Sequence, residues 1–95
     1  MKLVWSPQAR RGLREIYLHI LPEDPAAARV LHARIRESVL RLAETPHMGR
    51  PGRVPGTREL MVPGTRDLVP YRVMEDSLQV LRVYHGARKW PEEFP

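Results

Sequence analysis

The sequence predicts an α+β domain in the order β-α-α-β-β-β, an antiparallel helical hairpin packed on a small, mainly antiparallel sheet. Three observations carry that expectation. Two stretches with helical apolar spacing are split only by Pro22-Glu23-Asp24-Pro25. Three short runs rich in β-branched and aromatic residues follow later, parted by Pro-Gly and Glu-Asp-Ser punctuation. A shorter β-prone run opens the chain. Helices grouped before strands, rather than alternating with them, give segregated layers.

Lys2–Trp5 alternates and is β-prone, so it is expected as an edge or joining strand. Ser6-Pro7 then starts a helix, because the serine hydroxyl can cap free amides and the proline ring presets the first helical φ. Leu13, Ile16, Tyr17, Ile20 and Leu21 recur at helical spacing, with Arg10, Arg11, Arg14 and Glu15 on the other side. A helix over Pro7–Leu21 follows. Asp24 and Pro25 restart a second helix that runs to Glu44, striped by Ala27, Leu31, Ile35, Ser38 and Leu42. A short connection and matched lengths make the pair an antiparallel hairpin.

From Thr45 to Pro55 the prolines and glycines predict a long loop without regular structure. The strands Arg58–Val62, Asp67–Val73 and Leu78–Tyr84 are then expected to form an antiparallel meander. The first two begin as near-repeats, Pro55-Gly56-Thr57-Arg58 and Pro63-Gly64-Thr65-Arg66, and the second Pro-Gly reads as a hairpin turn. In the last run both alternating sets carry apolar residues, which places it centrally in the sheet. The segment after Tyr84 is too broken for a helix and is expected as a tail or single turn lying back near the sheet.

Ninety-five residues make a single domain, 1–95, with one modest core. No apolar run approaches the roughly 18 residues of a membrane span, and no leader-like segment opens the chain. A cytoplasmic protein is expected. Zero cysteines exclude disulfides, thiol catalysis and cysteine-based zinc sites. His19, His32 and His47 lack metal-like spacing with acids, and Gly49-Arg50-Pro51-Gly52 has neither the spacing nor the following helix of a phosphate loop. No metal and no cofactor are expected. Sixteen Lys and Arg against eleven Asp and Glu leave a charge of +5, almost all of it arginine. The planar guanidinium suits phosphates and carboxylates, so nucleic acid or an acidic protein segment is the natural partner.

Cations and flat rings cluster near the C-terminal strand: Arg58, Arg66, Arg72, Arg82, His85, Arg88 and Lys89 among Tyr71, Tyr84 and Trp90. As a binding surface, Arg58, Arg66, Arg82, Tyr84, Arg88, Lys89 and Trp90 are the candidates. Metal-free RNA cleavage would need a proton-transfer group and cations for the phosphorane, and Arg58, Arg72, His85 and Arg88 would fill those roles. Plainer readings stand beside these. His85 can be a strand-end histidine that bonds a carbonyl or water. Tyr84 and Trp90 can pack at the sheet edge, and Arg82 can pair with Glu59 or Glu75 across the sheet.

Several pieces resemble the RelE/ParE superfamily of toxins from bacterial type II toxin–antitoxin pairs. They are Val4-Trp5-Ser6-Pro7-Gln8-Ala9, Pro25-Ala26-Ala27-Ala28-Arg29, Met48-Gly49-Arg50, Gly56-Thr57-Arg58-Glu59-Leu60, Pro70-Tyr71-Arg72-Val73, and Leu81-Arg82-Val83-Tyr84-His85-Gly86-Ala87-Arg88-Lys89-Trp90-Pro91. The resemblance covers nearly the whole chain in the right order. It implies a small toxin of the fold derived above, in a hetero-oligomer with a cognate antitoxin that wraps over it. It also implies one of two activities, inhibition of DNA gyrase in the ParE branch or cleavage of mRNA on the ribosome, or else a non-toxic member that only forms the complex. RNA-cleaving members carry an arginine two or three residues ahead of the tyrosine in the middle strand. Here that place reads Leu68-Val69-Pro70-Tyr71, which is more similar to the ParE branch.

Overall fold

The computed structural model describes residues 1–86. Strand β1 (Lys2–Trp5) leads into α1 (Pro7–Ile20), which α2 (Pro25–Leu42) follows. Ser6 Oγ accepts from the Ala9 amide at 2.9 Å and Asp24 Oδ1 from the Ala27 amide at 3.0 Å, so both predicted caps and both N-terminal prolines act as expected. The helices end slightly earlier than the sequence suggested.

The remaining strands are β2 (Arg50–Pro51), β3 (Arg58–Met61), β4 (Asp67–Val73), β5 (Ser77–Val80) and β6 (Tyr84–His85). They assemble in the order β1-β5-β4-β3-β2, with β6 also on β4. All pairings are antiparallel except β1 with β5, which run parallel in the register Leu3↔Leu78 and Trp5↔Val80. The helices cover one face. Ala9, Leu13 and Ile16 from α1 and Ile35, Val39 and Leu42 from α2 meet Leu60, Val62, Val69, Tyr71, Leu78 and Val80 from the sheet.

The near-repeat in sequence is a repeat in structure. Val54 and Val62 each accept a backbone bond at 3.2 Å from the threonine three residues on, Thr57 and Thr65. Gly56 and Gly64 take φ of 78° and 74°, the left-handed third position of a type II turn that has proline second. Each threonine hydroxyl also donates to the same valine carbonyl, at 2.6 Å in the first copy and 2.8 Å in the second.

Two expectations are corrected. The loop over Thr45 to Pro55 is not wholly irregular, because Arg50 and Pro51 pair with Glu59 and Arg58 as a short edge strand. The run Leu78–Tyr84 is not one strand. Tyr71 faces Val80, whereas Leu68 faces Tyr84, so Val69 and Pro70 on β4 oppose Leu81, Arg82 and Val83, a bulge of one residue. Pro70 is the cause. Its carbonyl accepts from the Leu81 amide at 2.9 Å, but it has no N–H to return to the Leu81 carbonyl. Ser6 Oγ and Arg82 Nη1 fill the gap, each donating to that carbonyl at 2.8 Å.

Candidate functional site

The bulge carries residues 82–84 outward against α1, and the two elements frame a cleft of about 590 Å³. From α1 the lining is Gln8, Arg11, Gly12, Glu15, Ile16, His19 and Ile20, one face at helical spacing. From the sheet it is Arg82, Val83, Tyr84 and His85. Gly12 sets how closely the two sides approach, since a Cβ there would lie 2.5 Å from the Val83 carbonyl oxygen. Arg11, His19, Arg82 and His85 make the cleft cationic, Glu15 is the one acid among its described lining, and Ile16, Ile20 and Val83 supply an apolar floor.

His85 is held from beneath. Its Nδ1 lies 2.5 Å from Oδ1 of Asp67, whose side chain is 0% exposed against 45% for the histidine. A carboxylate only accepts, so Nδ1 carries the hydrogen and the ring is fixed with Nε2 as its remaining polar atom. Backbone register brings the pair together, Asp67 standing opposite His85. Asp67 Oδ2 is buried and has no hydrogen-bond partner among the described residues.

The other sequence-predicted residues do not gather at one point. Arg66 sits at the neighbouring turn, where its carbonyl accepts from the Gly86 amide at 2.8 Å. Arg58 lies toward the other end of the sheet and donates from Nη1 to the Gly49 carbonyl at 2.7 Å. It pairs with Tyr71 and so shares that residue's face. Arg72, the next residue along β4, projects to the opposite face and reaches Gln79 Oε1 at 3.5 Å. From Asp67, beneath His85, to Tyr71, opposite Arg58, is roughly 13 Å along the strand. Arg88, Lys89 and Trp90 lie outside the described residues.

Glu59 is committed elsewhere than to Arg82. Its carboxylate, 2% exposed, accepts from Arg50 Nη2 at 3.0 Å and from the Arg53 amide and Nε at 2.8 and 3.1 Å. Burial alone would raise its pKa, but these bonds to Arg53 and Arg50 together hold it below the ordinary 4.5. Tyr71 anchors the loop before β2, its hydroxyl donating to the Pro46 carbonyl at 2.8 Å and accepting from the Gly49 amide at 2.9 Å. Burial pushes its pKa up despite that amide and the nearby Arg58 charge.

Sequence reasoning missed Asp67, and it set Arg11 and Glu15 on a solvated helix side. Their spacing with His19 was visible, but which element that face meets was not. Among the described residues no three His, Cys, Asp or Glu side chains gather as a metal site would require.

Comparison with known proteins bears on what such a cleft serves. A family described as the ParE toxin of type II toxin-antitoxin system, parDE, matches residues 3–90. The chain is 41% identical over 91 residues to the putative toxin Y4kP of Sinorhizobium fredii, covering 96% of this chain and 94% of that protein. It is 30% identical over 86 residues to toxin RelE1 of Caulobacter vibrioides, covering 88% and 91%. Among solved structures it superposes on a chain of the chromosomal ParDE TA system from P. aeruginosa with a TM-score of 0.85 and 31% identity, over 92% of this chain and 97% of that one.

Proposed function

The chain belongs to the ParE toxin family of type II toxin–antitoxin systems, and on that premise we propose that it arrests growth by inhibiting DNA gyrase and is held inactive by a cognate antitoxin. The observation that favours gyrase over RNA cleavage is the scatter of the cations. A metal-free nuclease must bring a proton-transfer group and phosphorane-binding cations within reach of one phosphate. Here Arg58 and Arg72 project to opposite faces, and His85 sits at the far end of β4. An inhibitor that works by binding needs only a cationic, partly apolar surface, which the α1/β6 cleft provides.

Neutralisation follows the same chemistry. The relative from P. aeruginosa is a ParDE system, and a charge of +5 suits an acidic antitoxin segment. Gyrase and its alternative target lie in the cytoplasm, and no helix among the described residues is long and apolar enough to cross a membrane.

The deciding experiment incubates purified protein with gyrase and supercoiled plasmid, alongside inducible expression in a bacterium. Lost supercoiling or trapped cleavage complexes in vitro, with DNA-damage signalling in cells, is the expected result. An unaffected gyrase, with translation stopped and messages cut at codon-spaced sites, would overturn it.

The Asp67–His85 pair favours a second reading, a ribosome-dependent endoribonuclease, because an oriented imidazole is a competent base. Under that reading His85→Ala and Arg88→Ala each abolish toxicity while antitoxin binding survives. If neither message cleavage nor gyrase inhibition occurs yet the antitoxin binds, the chain is a complex-forming member only.

A further inference from the structure

The cleft between α1 and β6 combines three features that together specify a ligand. It is cationic, with Arg11, His19 and His85 along its walls. Its floor is apolar, formed in part by Ile16 and Ile20. At about 590 Å³ it falls within the roughly 300–1,000 Å³ of sites that enclose a small ligand or a few side chains. A nucleic-acid strand would be served by a continuous row of cations and by rings on which bases stack. Glu15, one helical turn from Arg11, interrupts any such row. The arrangement suits one or two carboxylates on a peptide whose neighbouring side chain is apolar.

His85 has the geometry to receive the carboxylate. Asp67, fully buried, fixes Nδ1 and hence the ring. An imidazole already oriented by a buried carboxylate loses little rotational freedom on capturing an anion at Nε2, as outer-shell carboxylates do for other functional histidines. The chain thus presents an ordered donor at one end of the cleft and the long, exposed Arg11 on the helix wall.

We propose that the α1/β6 cleft seats an acidic side chain of the antitoxin, gripped by Asp67-oriented His85 and by Arg11, with an adjoining apolar side chain packed on Ile16 and Ile20. This rests on the antitoxin partner proposed above and assigns its anchor point. The occupant is the antitoxin; gyrase and a second copy of this chain are the rivals that the test separates.

The test titrates the full-length toxin and its variants with the full-length cognate antitoxin by calorimetry at neutral pH and ~150 mM salt, where distant surface charges are largely screened. Arg11→Glu removes the exposed cation with little risk to the fold, and His85→Gln keeps a polar side chain without the ring. Arg29→Glu, exposed on α2 and outside the cleft, makes the same charge change as Arg11→Glu. Affinity falls at least about tenfold for Arg11→Glu and His85→Gln and stays within about twofold for Arg29→Glu, as expected when a desolvated charge pair is broken. Equal affinities for Arg11→Glu and the wild type would overturn the proposal. So would unchanged antitoxin binding with weakened gyrase inhibition, which gives the cleft to gyrase. Wild-type self-association that Arg11→Glu abolishes, with antitoxin affinity unchanged, would give it to a second copy and equally overturn the proposal. Failure of the antitoxin to bind wild-type protein would instead remove the antitoxin reading itself.

Discussion

Ser6 Oγ donates to the Leu81 carbonyl at 2.8 Å while accepting from the Ala9 amide at 2.9 Å, so one hydroxyl both caps α1 and supplies a bond that Pro70 cannot. Ser6→Ala removes both. The expected loss is about 1–2 kcal/mol, typical of an N-cap deletion, because Arg82 still reaches the carbonyl. Thermal unfolding should show the midpoint falling by several degrees. A change too small to resolve would mean that water replaces the hydroxyl at no cost.

Gly12→Ala reverses a familiar sign. In an ordinary helix the change stabilises by about 1 kcal/mol. Here the new methyl group would sit 2.5 Å from the Val83 carbonyl oxygen, which is backbone and cannot swing aside. A destabilisation of about 1–3 kcal/mol is expected in urea titrations, with α1 pushed off the bulge and the cleft widened. A stabilised variant would contradict the close approach.

Tyr71→Phe leaves the Gly49 amide and the Pro46 carbonyl without their shared partner, which should cost roughly 1–3 kcal/mol at neutral pH. The pH dependence carries its own sign. Burial raises the folded-state pKa above the ordinary 10.0, so the tyrosine's contribution is complete below that value and is lost as pH rises through the folded one. Urea unfolding followed into the alkaline range should therefore fall more steeply for wild type than for Tyr71→Phe. Parallel alkaline limbs would show that the phenol does not titrate differently in the two states.

Glu59→Gln tests the opposite limb. The native carboxylate is held below the ordinary 4.5, so its contribution is present above that value and is lost as pH falls through the folded one. The variant should lose about 1–3 kcal/mol near neutral pH, the range for hydrogen bonds to a charged group, and should approach wild type in acid. Stability curves of equal spacing at every pH would exclude a charged Glu59 as the cause.

The caps, the helical hairpin and β4 were legible because each rests on local chemistry: Ser6-Pro7, Asp24-Pro25, and turn residues at both ends of Asp67–Val73. The break in Leu78–Tyr84 had a signal in Pro70, a proline within a strand that pairs on both sides, but it marks the partner strand rather than its own. The β2 strand was illegible because two residues among prolines and glycines carry no pattern, and only the side chain of Glu59 ties them down. In the candidate site, Arg82, Tyr84 and His85 were visible as a basic, aromatic strand end. Asp67 was not, since nothing local distinguishes a buried aspartate at a strand start from one that ends a turn. Arg11 and Glu15 were assigned by helix face alone, and Gly12 gave no hint that the bulge would press against it.

The parallel pairing of β1 with β5, closed by a bond between residues 75 apart in sequence, has a consequence for how the chain comes into being. A nascent chain that has not yet delivered Ser77–Val80 offers β1 no neighbour and α1 no bulge to rest on. The helical hairpin is a local structure that can form early, whereas sheet closure depends on the longest loop in the molecule and is the slower event. The α1/β6 cleft therefore comes into existence only at the end of synthesis. A partner that recognises it recognises a finished molecule.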